Sequence, residues 1–350
     1  MLNWIVSLFL SNIFLLAQTA NFDFLLEKEI SYEEKLGQMI IFNILPNTDK
    51  DFIVKLIRDY KVGNFNLIGK FKDEKEVKRI LEIIKQESKK ELVAEPFIAV
   101  DEEGNIERLI FLNSISQNKF KTLSQAYKES LRRGRELKKN GINMVFSPVL
   151  DFSEDKEDFI WKRTFQKNKN TSINLGVSMI KGYQDAKIIS VPKHFPGYVG
   201  QSEDPHGRIL KEKKLKFYSN SIEVFKEVLN KTNPSALMTA HLVIEEFGKK
   251  PITRSSSFVD FIRNKLKYDG LLITDSLGMR SFRLNDSFNQ SALESLLSGH
   301  NLLILSSNQK VSLEILDFLR SKLNDNNVQL KVDESFLKIL LFKRKTGLVY

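Results

Sequence analysis

The sequence predicts an α/β fold, a (β/α)8 TIM-type barrel in a single domain, and three observations carry that expectation. Short apolar or β-branched runs alternate along the chain with longer amphipathic stretches, the pattern of βα repeats around a parallel sheet. Eight such runs occur, the number that closes a barrel. Several end in a charged or titratable residue, and in this architecture strand ends converge on the C-terminal mouth, where the chemistry sits.

The expected strands are residues 38–42, 62–68, 97–100, 142–146, 188–191, 236–238, 271–273 and 302–305, each a run too short for a helix. Between them, helical periodicity marks 74–87, 123–139, 171–184, 222–229, 258–266 and 290–297. The polar connection 150–170, with Trp161 and Phe165 in it, reads as an active-site loop rather than a helix. A helix over 311–323 and an apolar stretch at 336–342 complete the outer ring. With 350 residues and no Pro/Gly/Ser-rich linker, a barrel of roughly 250 residues plus decoration accounts for residues 21–350, after an N-terminal leader over residues 1–20.

Composition narrows the function classes. A hydrophobic fraction of 42% supports a sizeable core, and 28% charged residues suit a soluble surface. The net charge of +10 comes from lysines spread over amphipathic stretches such as 70–90 and 211–216. No basic-aromatic platform accompanies it, so nucleic acid is not an expected partner. The absence of cysteine excludes disulfides, thiolate metal sites and a Cys nucleophile. Residues 4–17 are almost unbroken apolar and are followed by Ala17-Gln18-Thr19, small residues at the spacing of a signal-peptidase site. The run is short of the ~20 residues of a membrane span. It reads as a signal peptide or N-terminal anchor, implying an exported, periplasmic or membrane-anchored protein, possible membrane association and a monomer; a first helix buried beneath a cytoplasmic barrel is the alternative.

The most informative stretch is Lys193-His194-Phe195-Pro196-Gly197, followed by His206 in Glu203-Asp204-Pro205-His206-Gly207. It places two of four histidines after an apolar strand, on a Gly- and Pro-punctuated loop, as a rigid scaffold presents functional groups. Other strands lead to Asp101, Asp151, His241 and Asp275. Taken singly, each Asp is also a common capping or turn residue, and His241 reads as a packed or pocket-lining histidine. Their convergence on one rim favours a site.

These residues resemble the catalytic barrel of glycoside hydrolase family 3, in its β-N-acetylhexosaminidase branch. The likeness runs in order through Glu34-Lys35-Leu36-Gly37-Gln38-Met39, Ala99-Val100-Asp101-Glu102-Glu103-Gly104, Phe146-Ser147-Pro148-Val149-Leu150-Asp151 and Arg163-Thr164-Phe165. It continues through Lys181-Gly182-Tyr183-Gln184, Lys193-His194-Phe195-Pro196-Gly197, Ala236-Leu237-Met238-Thr239-Ala240-His241 and the segment 268–279. The resemblance implies a retaining glycosidase with Asp275 as nucleophile and His206, oriented by Asp204, as general acid/base. It also implies a terminal sugar bound by Asp101, Arg108, Arg163, Lys193 and His194, and no metal or organic cofactor.

Such a reaction requires one carboxylate to form the glycosyl-enzyme and a second group to give and later take a proton, which an imidazole can do near neutral pH. The implied substrate is terminal β-linked N-acetylglucosamine on cell-wall or chito-oligosaccharide fragments. Alternatives are a β-glucosidase or other family 3 glycosidase, transfer of the sugar to phosphate, and a barrel that binds glycan without cleaving it. Three departures stand out: Asn105-Ile106 where the family writes Gly and Arg, Tyr198 where it writes His, and Pro205 where it writes Ser or Thr.

Overall fold

The computed structural model describes residues 30–104, 109–208 and 210–348. The expected leader and Arg108 therefore lie outside the described residues. The chain runs α1 (Tyr32–Gln38), β1 (Ile40–Ile44), α2 (Lys50–Arg58), β2 (Asn64–Leu67), α3 (Glu74–Glu91), β3 (Phe97–Val100), α4 (Leu123–Lys139) and β4 (Met144–Val145). It continues with α5 (Lys169–Asp185), β5 (Ile189–Ser190), α6 (Ser219–Thr232), β6 (Ala236–Thr239), α7 (Ser256–Asp260, prolonged by one π-turn over Phe261–Lys265) and β7 (Leu271–Thr274). The last elements are α8 (Arg280–Arg283), α9 (Phe288–Ser298), β8 (Leu303–Ile304), α10 (Gln309–Ser321) and α11 (Asn326–Lys345).

All eight expected strands are present, each fully buried, because a parallel sheet covered by helices leaves neither face to solvent. The helices begin where the sequence supplies caps: Ser31 and Glu34 form a capping box at α1, and Asp49, Asp73, Thr122 and Asn168 cap α2, α3, α4 and α5. On α3, Val77, Ile80 and Ile84 turn inward at helical spacing. One hydrophobic cluster extends from Leu36 to Ile339.

The pairing departs from a continuous ring of ladders. Six strands form one parallel sheet in the order β5-β4-β3-β2-β1-β8, and β6 and β7 form a second parallel pair. Among the described residues, the isolated bridge Phe195↔Thr239 stands in place of a ladder between β5 and β6, and Ile273↔Leu302 between β7 and β8. The first interruption has a covalent cause. Pro192 and Pro196 carry no N–H, so the strand cannot donate on through Lys193-His194-Phe195 as a regular ladder. Phe195 N–H instead bonds Met238 O at 2.8 Å, and Ala240 N–H bonds Phe195 O at 2.8 Å.

Close packing of α4 on α5 depends on Gly182. A Cβ there would sit 2.2 Å from Ser130 Oγ and 2.6 Å from Tyr127 O. Gly182→Ala is expected to destabilise the protein by about 1–3 kcal/mol, because overpacking outweighs the helix propensity gained, about 1 kcal/mol. Denaturant unfolding checks it; an unchanged or raised midpoint would show that the two helices separate without cost.

Candidate active site

Three loops bring charge to the rim where β3, β4 and β5 end. Lys193 is fixed by its own backbone, with its N–H on Pro148 O at 3.0 Å and its carbonyl accepting from Leu150 N–H at 2.7 Å. Its buried ammonium donates to Asp101 Oδ1 at 2.6 Å and lies 2.6 Å from Glu103 Oε1. Arg163, from the turn Trp161–Arg163 in the expected loop, closes on the same Glu103 with Nε to Oε2 at 3.0 Å and Nη2 to Oε1 at 2.8 Å. Burial alone would raise the Glu103 pKa, but Arg163 and Lys193 override it and hold the carboxyl well below the usual range. Burial likewise disfavours charge on Arg163 and Lys193, and the neighbouring carboxylates more than restore it.

Beside this network, buried Asp151 organises the next loop. It accepts from His194 N–H at 2.9 Å, from the His194 ring at Nδ1 at 3.0 Å and from Tyr198 N–H at 2.6 Å. Burial opposes ionisation of Asp151, yet His194 and these hydrogen bonds lower its pKa. The ionised carboxylate requires the proton on Nδ1, leaving His194 Nε2 toward Arg163 Nη2 at 3.4 Å. Phe195 anchors the loop from below, against Phe225 and Phe258 at ring distances of 5.3 and 5.7 Å. Gly197, at φ +124°, then turns the chain where a Cβ would meet Ser221 Oγ at 2.4 Å.

That turn delivers Tyr198 to Asp275. The phenol donates to Asp275 Oδ2 at 2.9 Å and accepts from His241 N–H at 2.9 Å, while Ser276 N–H reaches Asp275 Oδ1 at 2.7 Å. Burial, and then the Asp275 charge, raise the Tyr198 pKa well above its ordinary value, so it stays a donor. Burial works to raise the Asp275 pKa as well, but His194, His241, His206 and the Ser276 N–H together lower it to about 2. His241 stands behind the carboxylate. Burial lowers its pKa to about 4, and the neutral ring donates from Nε2 to Ser276 O at 3.0 Å, which leaves Nδ1 to accept from Thr253.

His206 approaches from the other side. Residues 204–207 form a turn closed by Gly207 N–H to Asp204 O, and Pro205 at its second position supplies the φ that such a turn needs. Asp204 Oδ1 accepts from His206 N–H at 2.9 Å and holds the ring at Nδ1 at 2.7 Å. Burial opposes ionisation of Asp204, and the His206 hydrogen bonds prevail and lower its pKa. The turn rests on the start of α8, with Arg280 N–H on His206 O and Ser281 N–H on Pro205 O. Both side chains of the dyad are 65% exposed, unlike every other member of the site.

A cavity of ≈ 370 Å³, in the range of small-ligand pockets, is lined by Asp101, Arg163, Lys193, His194, His206 and Asp275 together with Tyr198, Asn43 and Asn66. Among the described residues, no group of three or more His, Asp or Glu side chains could hold a metal ion. Residues 31–340 match the family model "Glycosyl hydrolase family 3 N terminal domain". The chain belongs to glycosyl hydrolase family 3. Similar curated proteins are the beta-hexosaminidases of Haemophilus influenzae, 26% identical over 288 residues with 79% of this chain and 80% of that protein covered, and of Pasteurella multocida, 26% identical over 290 residues with the same coverage. Among solved structures, the beta-N-acetylhexosaminidase from Beutenbergia cavernae superposes with a TM-score of 0.79 at 20% identity, covering 90% of this chain and 99% of that one. The family 3 beta-N-acetylglucosaminidase from Paenibacillus gives 0.80 at 22% identity, covering 91% of this chain, which spans 63% of that longer one. The chain is thus a glycoside hydrolase of the β-hexosaminidase branch.

The fold of this family 3 glycoside hydrolase unites six of the eight residues singled out from sequence in one cavity; Asp204 holds His206 from outside it, and Arg108 lies beyond the described residues. His241 is not a lining residue but a support behind Asp275. Glu103, Asn43 and Asn66 line or support the site without having been expected from sequence, and Tyr198 stood out there only as a departure from the family pattern. Two acids in a row after Asp101 were the available signal for Glu103, and the Tyr in place of His was the signal for Tyr198.

Glu103→Gln is expected to cost about 3–5 kcal/mol, because it leaves buried cations short of their counter-charge. Since the Glu103 pKa is depressed in the folded state, the wild-type advantage is complete above about pH 5 and shrinks as pH falls below about 4. Unfolding of both proteins across pH checks this; equal stability at neutral pH would remove Glu103 from the account.

Proposed function

We propose that this protein is a retaining β-N-acetylglucosaminidase that removes terminal β-linked N-acetylglucosamine from cell-wall or chito-oligosaccharide fragments. The observation that carries the reading is the lining of one cavity by both the ionised Asp275 and a His206 ring fixed through Nδ1 by Asp204. The names of its relatives support the choice of sugar.

In this mechanism Asp275 attacks the anomeric carbon, and His206 Nε2 protonates the departing glycosidic oxygen. Water then enters on the same face, His206 takes its proton, and the sugar leaves Asp275 with overall retention. The Ser276 N–H and Tyr198 O–H hold both Asp275 oxygens, which keeps the carboxylate ionised and aimed without reorganisation. Lys193, Arg163, His194 and Asp101 bind the hydroxyls of the terminal sugar, and their mutual ion pairs fix their positions before substrate arrives.

The proposal extends to the scaffold and its location. The bridges Phe195↔Thr239 and Ile273↔Leu302 support a ring of eight strands closed at two irregular seams, so that residues 21–350 act as one catalytic barrel. The apolar run at residues 4–17 supports export to the compartment where such glycans occur.

The test is release of nitrophenol from the 4-nitrophenyl β-glycosides of N-acetylglucosamine and glucose. Wild type is expected to turn over the N-acetylglucosaminide in strong preference, and Asp275→Asn to abolish turnover. His206→Ala should lose roughly 10²–10⁴-fold on chitobiose, whose leaving group needs a proton, and less on the nitrophenyl substrate, whose leaving group does not. Equal turnover of both glycosides would redirect the reading to a broad β-glucosidase, and no turnover of either by folded wild type to a glycan-binding barrel.

A further inference from the structure

The cavity floor carries a polar pair contributed by two adjacent strands. Asn43 and Asn66 are register partners on β1 and β2, and both line the cavity. Asn66 stands opposite Ala99, two residues below Asp101, which places it about 7 Å deeper than the rim at the rise of a strand.

The orientation of both amides follows from one fixed point. Leu305 O can only accept, so the group 2.7 Å from it is Asn43 Nδ2. Asn43 Oδ1 therefore faces Asn66, and the Asn66 group bonding it at 2.9 Å is Nδ2. Asn66 Oδ1 is what remains. It is buried, on a residue only 3% exposed, and has no hydrogen-bond partner among the described residues.

Two neighbouring asparagines, the buried Asn64 and the half-buried Asn143, show what a purely structural amide does beside these strands. Asn64 donates to Gln38 O and Ile40 O and accepts from Phe97 N–H, and Asn143 donates to Pro96 O and accepts from Ile98 N–H. Both are satisfied at both ends by backbone. Asn66 alone of these three has its acceptor left over, and it is the one that lines the cavity.

We propose that Asn66 is a specificity-determining residue whose Oδ1 accepts a hydrogen bond from a neutral donor, a hydroxyl or the acetamido N–H, on the terminal sugar. The inference rests on the glycosidase reading above and adds what the floor selects: a sugar whose inward edge bears a free donor, against one deoxygenated or alkylated there. A site built around a buried, unpaired acceptor favours a ligand that satisfies it over one that cannot, because the second leaves the acceptor unpaired away from water.

The experiment measures kcat/KM of wild type, Asn66→Ala and Asn66→Asp on 4-nitrophenyl β-N-acetylglucosaminide and on its 3-deoxy, 4-deoxy and 6-deoxy analogues and the 2-deoxy analogue lacking the acetamido group. One analogue is expected to lose roughly 10- to 100-fold with wild type, and that same analogue to show no further loss with Asn66→Ala. Asn66→Asp, which keeps an acceptor, should retain discrimination at that position, an outcome that a merely structural role would not produce. Losses that multiply independently for every analogue, with wild type active on the parent, would overturn the inference alone. Folded wild type inactive on the parent would overturn the function on which it rests. Melting temperatures separate either result from misfolding, and if Asn66→Ala is unfolded, the comparison of Asn66→Asp with wild type decides.

Discussion

The buried carboxylate of Glu103, shared between Lys193 and Arg163, is the interaction on which the rest of the rim depends. It ties the segment after β3 to the end of β5 and to the turn at Trp161–Arg163, three parts of the chain distant in sequence. Desolvating three charges is expensive, and their mutual attraction in a buried setting roughly offsets that cost. The return is geometry rather than stability. With Glu103 in place, Lys193 and Arg163 have one arrangement, and Lys193 can also hold Asp101 at the cavity wall.

From that anchor the order of the site can be followed inward. Arg163 meets the ring of His194, Asp151 fixes His194 and the Tyr198 backbone, and Tyr198 reaches Asp275. Each carboxylate in the series is ionised because its partners outweigh its burial. The other half of the proposed catalytic pair is built differently. Asp204 and His206 sit on an exposed turn that touches the body through backbone bonds to α8. In the proposed mechanism, a buried nucleophile facing an acid/base on an exposed turn suits a reaction in which the same imidazole must serve first a leaving group and then water.

Much of this was legible in the sequence because the signals were strong and local. Each apolar run became a strand, although 142–146 and 188–191 shrank to the two-residue strands Met144–Val145 and Ile189–Ser190, since prolines and a polar mouth cut their ladders short. Helix α2 was missed: its inward residues Ile53, Leu56 and Ile57 are too few over Lys50–Arg58 to establish a period. The irregular seams beside β5 and between β7 and β8 depend on which strand accepts from which, and no periodicity encodes that. Glu103 lay inside a motif already noticed, but an acid beside another acid reads as surface until the fold buries it between two cations. The meaning of Tyr198 and of Asn66 exists only in three dimensions, one as a hand on the Asp275 carboxylate and the other as a floor.

The most direct measurement is to trap the glycosyl-enzyme with 5-fluoro-N-acetylglucosaminyl fluoride and map the labelled peptide by mass spectrometry. The account predicts stoichiometric labelling on Asp275, lost in Asp275→Asn and released slowly on dilution. Turnover of the natural linkage without any trapped species, or a label on another carboxylate such as Asp101 or Asp204, would contradict it.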